Sequence, residues 1–255
     1  MIRQSLATLA LLAAAAGQVA AGDAAARRVI GFSPDGTHFA FEQYTMLYDD
    51  DAAFSEFVIV DTRTDRFAAG TPIRVLVRGD DGLDETRARA AAEKKAKPLL
   101  EKLNIGEPGT RIAGKPSMGL DEIGIYHMDP QPLAKTLDFA LPDGRAARLA
   151  VAERPLKTAV CAGYGGRATA ARAMGHGLTL TLDVAGSPPV TLQQDKALPK
   201  ARECAEAYGL AEAWWHKAPD GTITLAALVE YADNKDYHAG PNRRFMAVTK
   251  RLAPR

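Results

Sequence analysis

Three Pro-Asp-Gly triplets constrain this chain more than any other feature: Pro34-Asp35-Gly36, Pro142-Asp143-Gly144 and Pro219-Asp220-Gly221. Pro presets φ, Asp can bond its own downstream backbone, and Gly accepts positive φ. Each triplet separates two runs that can be strands. Residues 29–33 and 38–44 flank the first, 136–141 and 148–153 the second, and 210–217 and 222–231 the third. Three β-hairpins follow, and with them antiparallel sheets.

The remaining strands show by their period. Leu178, Leu180, Leu182 and Val184 alternate with Thr179, Thr181 and Asp183, the pattern of a half-buried strand. Phe57-Val58-Ile59-Val60 is short and apolar on both faces, which places it centrally in a sheet. Phe39 and Phe41 share one face, opposite His38 and Glu42. Ile223, Leu225, Ala227 and Val229 share another, and residues 72–77 form a further strand candidate. One long helix is expected near 84–103, capped by Asp84, with Ala88, Ala92, Ala96, Leu99 and Leu103 on one face. Pro98 is expected to kink or divide it. Its basic residues read as a solvated face, because large anchoring apolar side chains are missing for a membrane-surface role. A short helix is expected near 200–207, after Pro199. Residues 106–132, rich in Gly, Pro and Met, read as a long loop or subdomain linker. The expected fold class is α+β, mainly β: hairpin-rich antiparallel sheets with two helices. Residues 22–255 form one elaborated domain, with a subdivision near 106–132 as the alternative.

Residues 1–21 read as a secretory signal peptide. Arg3 supplies the positive start, residues 6–16 the apolar stretch, and Val19-Ala20-Ala21 the small residues before a cut ahead of Gly22. No later segment has the roughly 18 apolar residues of a membrane helix. The whole chain carries 32 Lys+Arg against 31 Asp+Glu. Cleavage removes one cation and no acid, so the exported chain is formally neutral. That balance argues against a nucleic-acid binder built on a broad basic surface. Export to the periplasm or beyond also changes how the two cysteines read. In an oxidising compartment Cys161 and Cys204 are expected to pair, the alternatives being two buried thiols or a catalytic Cys.

No motif announces a reaction. The five histidines form no His-x-x-x-His or His-Glu-x-x-His pair, and Asp49-Asp50-Asp51 lacks the spaced ligands of a calcium loop. Gly163-Tyr164-Gly165-Gly166, before a short helix at 168–174, lacks the dinucleotide-binding spacing and reads as a connection. Ser33 is a turn residue, outside any nucleophile elbow. No catalytic residue, metal site or cofactor is expected. Two pairs are binding candidates. Trp214-Trp215 in a strand must point to opposite faces, so one ring is free to stack on a ligand unless both faces are buried. Arg243-Arg244 can hold an anionic group or simply mark a solvated strand start.

Val29-Ile30-Gly31-Phe32-Ser33-Pro34-Asp35-Gly36, Phe39-Ala40-Phe41-Glu42 and Phe57-Val58-Ile59-Val60-Asp61 together resemble one blade of the propeller repeats of periplasmic TolB-like proteins. The triplets at 34, 142 and 219 are too unevenly placed for a regular propeller of roughly 40–45-residue blades. A wider resemblance covers nearly the whole exported chain. The 29–42 block, Gly70-Thr71-Pro72-Ile73, the helix around 87–103, Pro199 with Arg202-Glu203-Cys204 and Tyr208, and Gly240-Pro241-Asn242-Arg243-Arg244-Phe245-Met246-Ala247-Val248 are similar to a bacterial family of predicted secreted proteins, a domain of unknown function. The resemblance implies secretion and a shared fold, and no chemistry. The leading expectation is therefore a non-enzymatic periplasmic or secreted protein that binds an envelope or secreted protein partner. The rival is a periplasmic hydrolase whose acidic and His groups meet only in space.

Overall fold

Strand β12 (Ile223–Asp236) is apolar on both faces, and that property sets the layering. The computed structural model describes residues 23–47, 50–78, 84–115, 133–158, 161, 174–202, 204–236 and 240–254. The expected signal at 1–21, the Gly163–Gly166 turn and the helix at 168–174 fall outside them, except Met174, which opens a strand. His127, His238 and Asp49 also lie outside.

β12 belongs to a central antiparallel sheet with β6 (Thr110–Gly114), β11 (Ala205–Lys217) and β13 (Gly240–Leu252), in the order β13-β12-β11-β6. Leu225, Ala227 and Val229 face one way and pack against an outer sheet of β7 (Thr136–Ala140), β8 (Ala146–Lys157), β9 (Met174–Val184) and β10 (Val190–Gln194). There they meet Leu149, Val151, Leu178, Leu180 and Leu182. Ala226 and Leu228 face the other way and meet Phe39, Phe41, Val58 and Val60. Those residues belong to the first sheet, β1 (Ala26–Phe32), β2 (His38–Leu47), β3 (Ala52–Asp61), β4 (Arg66–Phe67) and β5 (Ile73–Arg78). α1 (Glu85–Lys102) covers the far face of that sheet. The molecule is thus mainly β with one long helix: three stacked antiparallel sheets and a helix, each apolar face closed by its neighbour.

The three Pro-Asp-Gly triplets close β1–β2, β7–β8 and β11–β12, as their turn chemistry requires. Gly36, Gly144 and Gly221 all take positive φ. β3 is central in its sheet, pairing with β2 on one side and with β4 and β5 on the other. Asp84 caps α1 by accepting the Arg87 N–H at 2.9 Å, and Ala88, Ala92 and Ala96 are its buried residues.

Three expectations need correction. Of the two outcomes expected at Pro98, a kink or a division, the division does not occur: α1 continues to Lys102. Docking of the alanine face on β3 and β5 holds the helix together across the missing N–H. The stretch 106–132 is not all loop, because β6 pairs with β11. Five residues are too few for a period to stand out. The short helix near 200–207 is only a 3-10 turn, Lys200–Arg202, and Ala205 already pairs with Asp233 in the central sheet. Arg202 is tied to Asp195 and Cys204 to Cys161, so tertiary bonds outrank local helix propensity there.

A second polar anchor sits beneath α1. Glu42 is fully buried and accepts from Ser55 Oγ at 3.0 Å, Arg28 Nε at 2.9 Å and Arg89 Nε at 3.1 Å. The Arg89 guanidinium also lies 3.8 Å from the Tyr44 ring centroid. Burial alone would depress the guanidinium pKa, but the Glu42 bonds outweigh it and hold Arg89 above its ordinary value. Glu42→Ala leaves Ser55 and two half-exposed arginines without their acceptor. It should cost about 2–3 kcal/mol, below the range for fully buried pairs. Urea denaturation reads the loss, and a midpoint equal to wild type would refute it.

Candidate binding surface at the edge of the first sheet

β5 is an edge strand with two different faces. Ile73, Val75 and Val77 pack toward α1. Arg74, Leu76 and Arg78 alternate with them and point the other way, as strand period demands. Leu76 is 39% exposed, one of few large apolar side chains so placed. Among the described residues β5 pairs only with β3, so its outer backbone edge has no strand beside it. Edge strands are commonly protected by charge. Here that charge comes from two arginines, with an exposed leucine between them.

The fold adds a third arginine from a different sheet. Arg244 on β13 reaches the same Phe54 ring that Arg74 covers, with guanidinium carbons 5.6 Å and 5.0 Å from its centroid. Phe54 lies opposite Leu76 in the β3–β5 ladder and is buried under these cations. Arg74 is paired with Glu56 at 3.0 Å, and Arg78 lies 3.9 Å from Asp50. Arg244 differs. Its Nη1 donates to the carbonyls of Asp23 and Arg243, and among the described residues no carboxylate pairs with it. A guanidinium held by backbone carbonyls and stacked on a ring is fixed in its orientation.

The other candidates are placed as follows. Arg243 pairs with Glu230 at 3.1 Å. Trp214 packs into the core between the central and first sheets, and its indole N–H donates to Glu212 at 2.7 Å. Glu212 in turn receives Arg27. Trp215 points to the opposite face of the central sheet; both rings are half-buried. The two tryptophans do not join the arginine surface. Trp214 pairs with Ala226, and Ala226 with Thr249, five residues along β13 from Arg244. Cys161 and Cys204 form a buried disulfide with Cα atoms 4.9 Å apart. Sequence reasoning marked 72–77 as a strand but passed over Arg74, Leu76 and Arg78. The signal was present as an Arg-x-Leu-x-Arg row opposite Ile-x-Val-x-Val, although only the fold brings Arg244 to it.

No group of three or more His, Cys, Asp or Glu among the described residues is placed to hold a metal ion. No helix among them is long and apolar enough to cross a membrane. Residues 40–251 match the model of a family described as predicted secreted protein (DUF2259). No curated protein matches the chain.

Proposed function

The chain belongs to the family of predicted secreted proteins, and on that premise we propose that it is a non-enzymatic binding protein that takes an acidic, extended segment of an envelope or secreted protein along β5. The observation that carries this reading is Arg244: a guanidinium fixed on backbone carbonyls, with no carboxylate paired to it among the described residues, beside an open strand edge that already presents Arg74, Leu76 and Arg78. Strand addition supplies backbone hydrogen bonds to the outer edge of β5, and alternate side chains supply selectivity. Carboxylates of the segment would meet the arginine forks, and an apolar residue would cover Leu76. Arg243, braced by Glu230, supports its neighbour. Trp214 and Trp215 lie elsewhere and have no contact role in this reading. Residues 29–61, over β1 to β3, are the part of the chain we relate to a single blade of TolB-like propellers.

The test is fluorescence anisotropy with a labelled peptide whose alternate residues run Glu, Val, Glu, with Ser between them, so that one face carries both carboxylates and the apolar residue. It should bind at least about tenfold more tightly than its counterpart with Lys in place of Glu, and Arg244→Glu should remove most of that preference. N-methylation of the peptide backbone should abolish binding, because it removes the edge hydrogen bonds. Equal binding of both peptides, or an Arg244→Glu variant that binds as well as wild type, would end the proposal.

A further inference from the structure

The β3–β4 turn, β10 and the end of β13 enclose a cleft of about 260 Å³ where the three sheets meet. We propose that this cleft binds a small ligand through an oxyanion, carried as a phosphate ester or a carboxylate. It is a separate site from the β5 edge. Lys250 lies six residues along β13 from Arg244, roughly 20 Å of extended strand.

The cleft wall carries three cations, Arg63, Lys250 and Arg251, against one carboxylate, Asp65. Their commitments differ. Arg63 is spent, because its Nε and Nη2 fork onto Asp61 at 2.9 Å and 2.7 Å. Arg251 gives one N–H to the Asp35 carbonyl at 3.1 Å and has no carboxylate within ion-pair distance among the described residues. Lys250 is half-buried, and its side chain makes no ion pair or hydrogen bond with any described residue. Lys250 and Arg251 are neighbours on β13, so their side chains leave opposite faces of the strand. A cation at a cleft wall with no carboxylate paired to it among the described residues favours an incoming anion, since the walls weaken its screening by water.

The neutral groups agree with this. The Thr191 hydroxyl makes no hydrogen bond among the described residues, and Thr64 donates only a long 3.4 Å bond to the Asp61 carbonyl. Both can donate to an oxyanion. Asp65 competes little. Its Oδ1 is occupied by the Thr249 N–H at 2.7 Å and the Thr249 hydroxyl at 2.8 Å, on a residue locked at φ 53°. Burial pushes its carboxyl above the ordinary range, against the two Thr249 bonds that favour the ionised form. The volume sits below the roughly 300–1,000 Å³ of drug-sized pockets, which fits a small ligand or the end group of a larger one.

Isothermal titration of the secreted chain at low salt tests the inference with four probes: inorganic phosphate, glucose 6-phosphate, glucuronate and glucose. Glucose should not bind. Binding of the phosphates assigns a phosphate site, and binding of glucuronate a carboxylate site; either supports the proposal. Lys250→Ala and Arg251→Ala should each weaken the bound anion about tenfold or more. Arg244→Glu should leave it unchanged, which separates this site from the peptide edge. The inference is overturned if none of the three anions binds, if glucose binds as well as they do, or if both cleft variants keep wild-type affinity.

Discussion

Asp195→Ala should destabilise the protein by about 3–5 kcal/mol, among the largest effects of any single substitution. Asp195 and Arg202 are both buried and meet as a two-point fork, Nη1 to Oδ2 and Nη2 to Oδ1, each at 2.6 Å. The same carboxylate accepts the Leu178 N–H at 2.8 Å and the Gln193 side-chain amide at 2.8 Å. Arg202 gives a further bond to the Tyr208 hydroxyl at 3.0 Å. Truncation leaves a guanidinium and a backbone N–H buried without their acceptor, which costs far more than the pair is worth against water. The double variant Asp195→Leu with Arg202→Met should recover much of the loss, because apolar groups of similar volume carry no stranded charge. Urea denaturation measures both. A single variant within about 1 kcal/mol of wild type would contradict the argument.

The same pair sets an acid limit. Burial would raise the Asp195 carboxyl, but the Arg202 fork and the Leu178 N–H outweigh it and hold the group below its ordinary value of 3.8. A depressed folded-state pKa adds stability that is present above 3.8 and is lost as pH falls below it. Wild type should therefore lose stability through that window more steeply than Asp195→Asn, which has no proton to take up. Chemical denaturation at pH 5 and at pH 3, roughly spanning the window, compares the two slopes.

Loss of the Cys161–Cys204 bond should cost about 3–4 kcal/mol, the chain-entropy expectation for a loop of this size. The sulfurs join residues 43 apart and lie buried against the outer sheet. Unfolded protein from an oxidising compartment should show no free thiol until it is reduced, since no described cysteine is free. Two reactive thiols before reduction would refute the bond. Cys161→Ser with Cys204→Ser should lower the melting temperature by several degrees, the size expected for such a loss. Disulfide and ion pair fasten the same connection between β10 and β11, so their losses should not add. Once either clamp is gone, the other holds a looser segment.

How much was legible depended on how local each cause was. The hairpins could be read because Pro-Asp-Gly acts through its own backbone, and α1 because Asp84 and the alanine row act within a few turns. β9 could be read because Leu178, Leu180 and Leu182 share one buried face. The 200–207 segment misled because Pro199 favours a helix locally while Arg202 and Cys204 answer to partners at 195 and 161. The binding surface was half legible. The alternation of β5 is in the chain order, but Arg244 meets Phe54 only because β13 ends its sheet beside β3.

By itself the sequence determined the antiparallel hairpins, one capped helix, a disulfide-permissive destination and a near balance of 32 basic against 31 acidic residues, since each follows from neighbouring residues or from composition. The tertiary structure alone decided that β12 would be buried on both faces, that Asp195 and Arg202 would share a fork, and that Arg244 and Lys250 would have no carboxylate paired with them among the described residues. The reason is physical: turn and cap energies act over a few bonds, whereas burial and charge pairing are properties of space, settled only when distant strands are packed together.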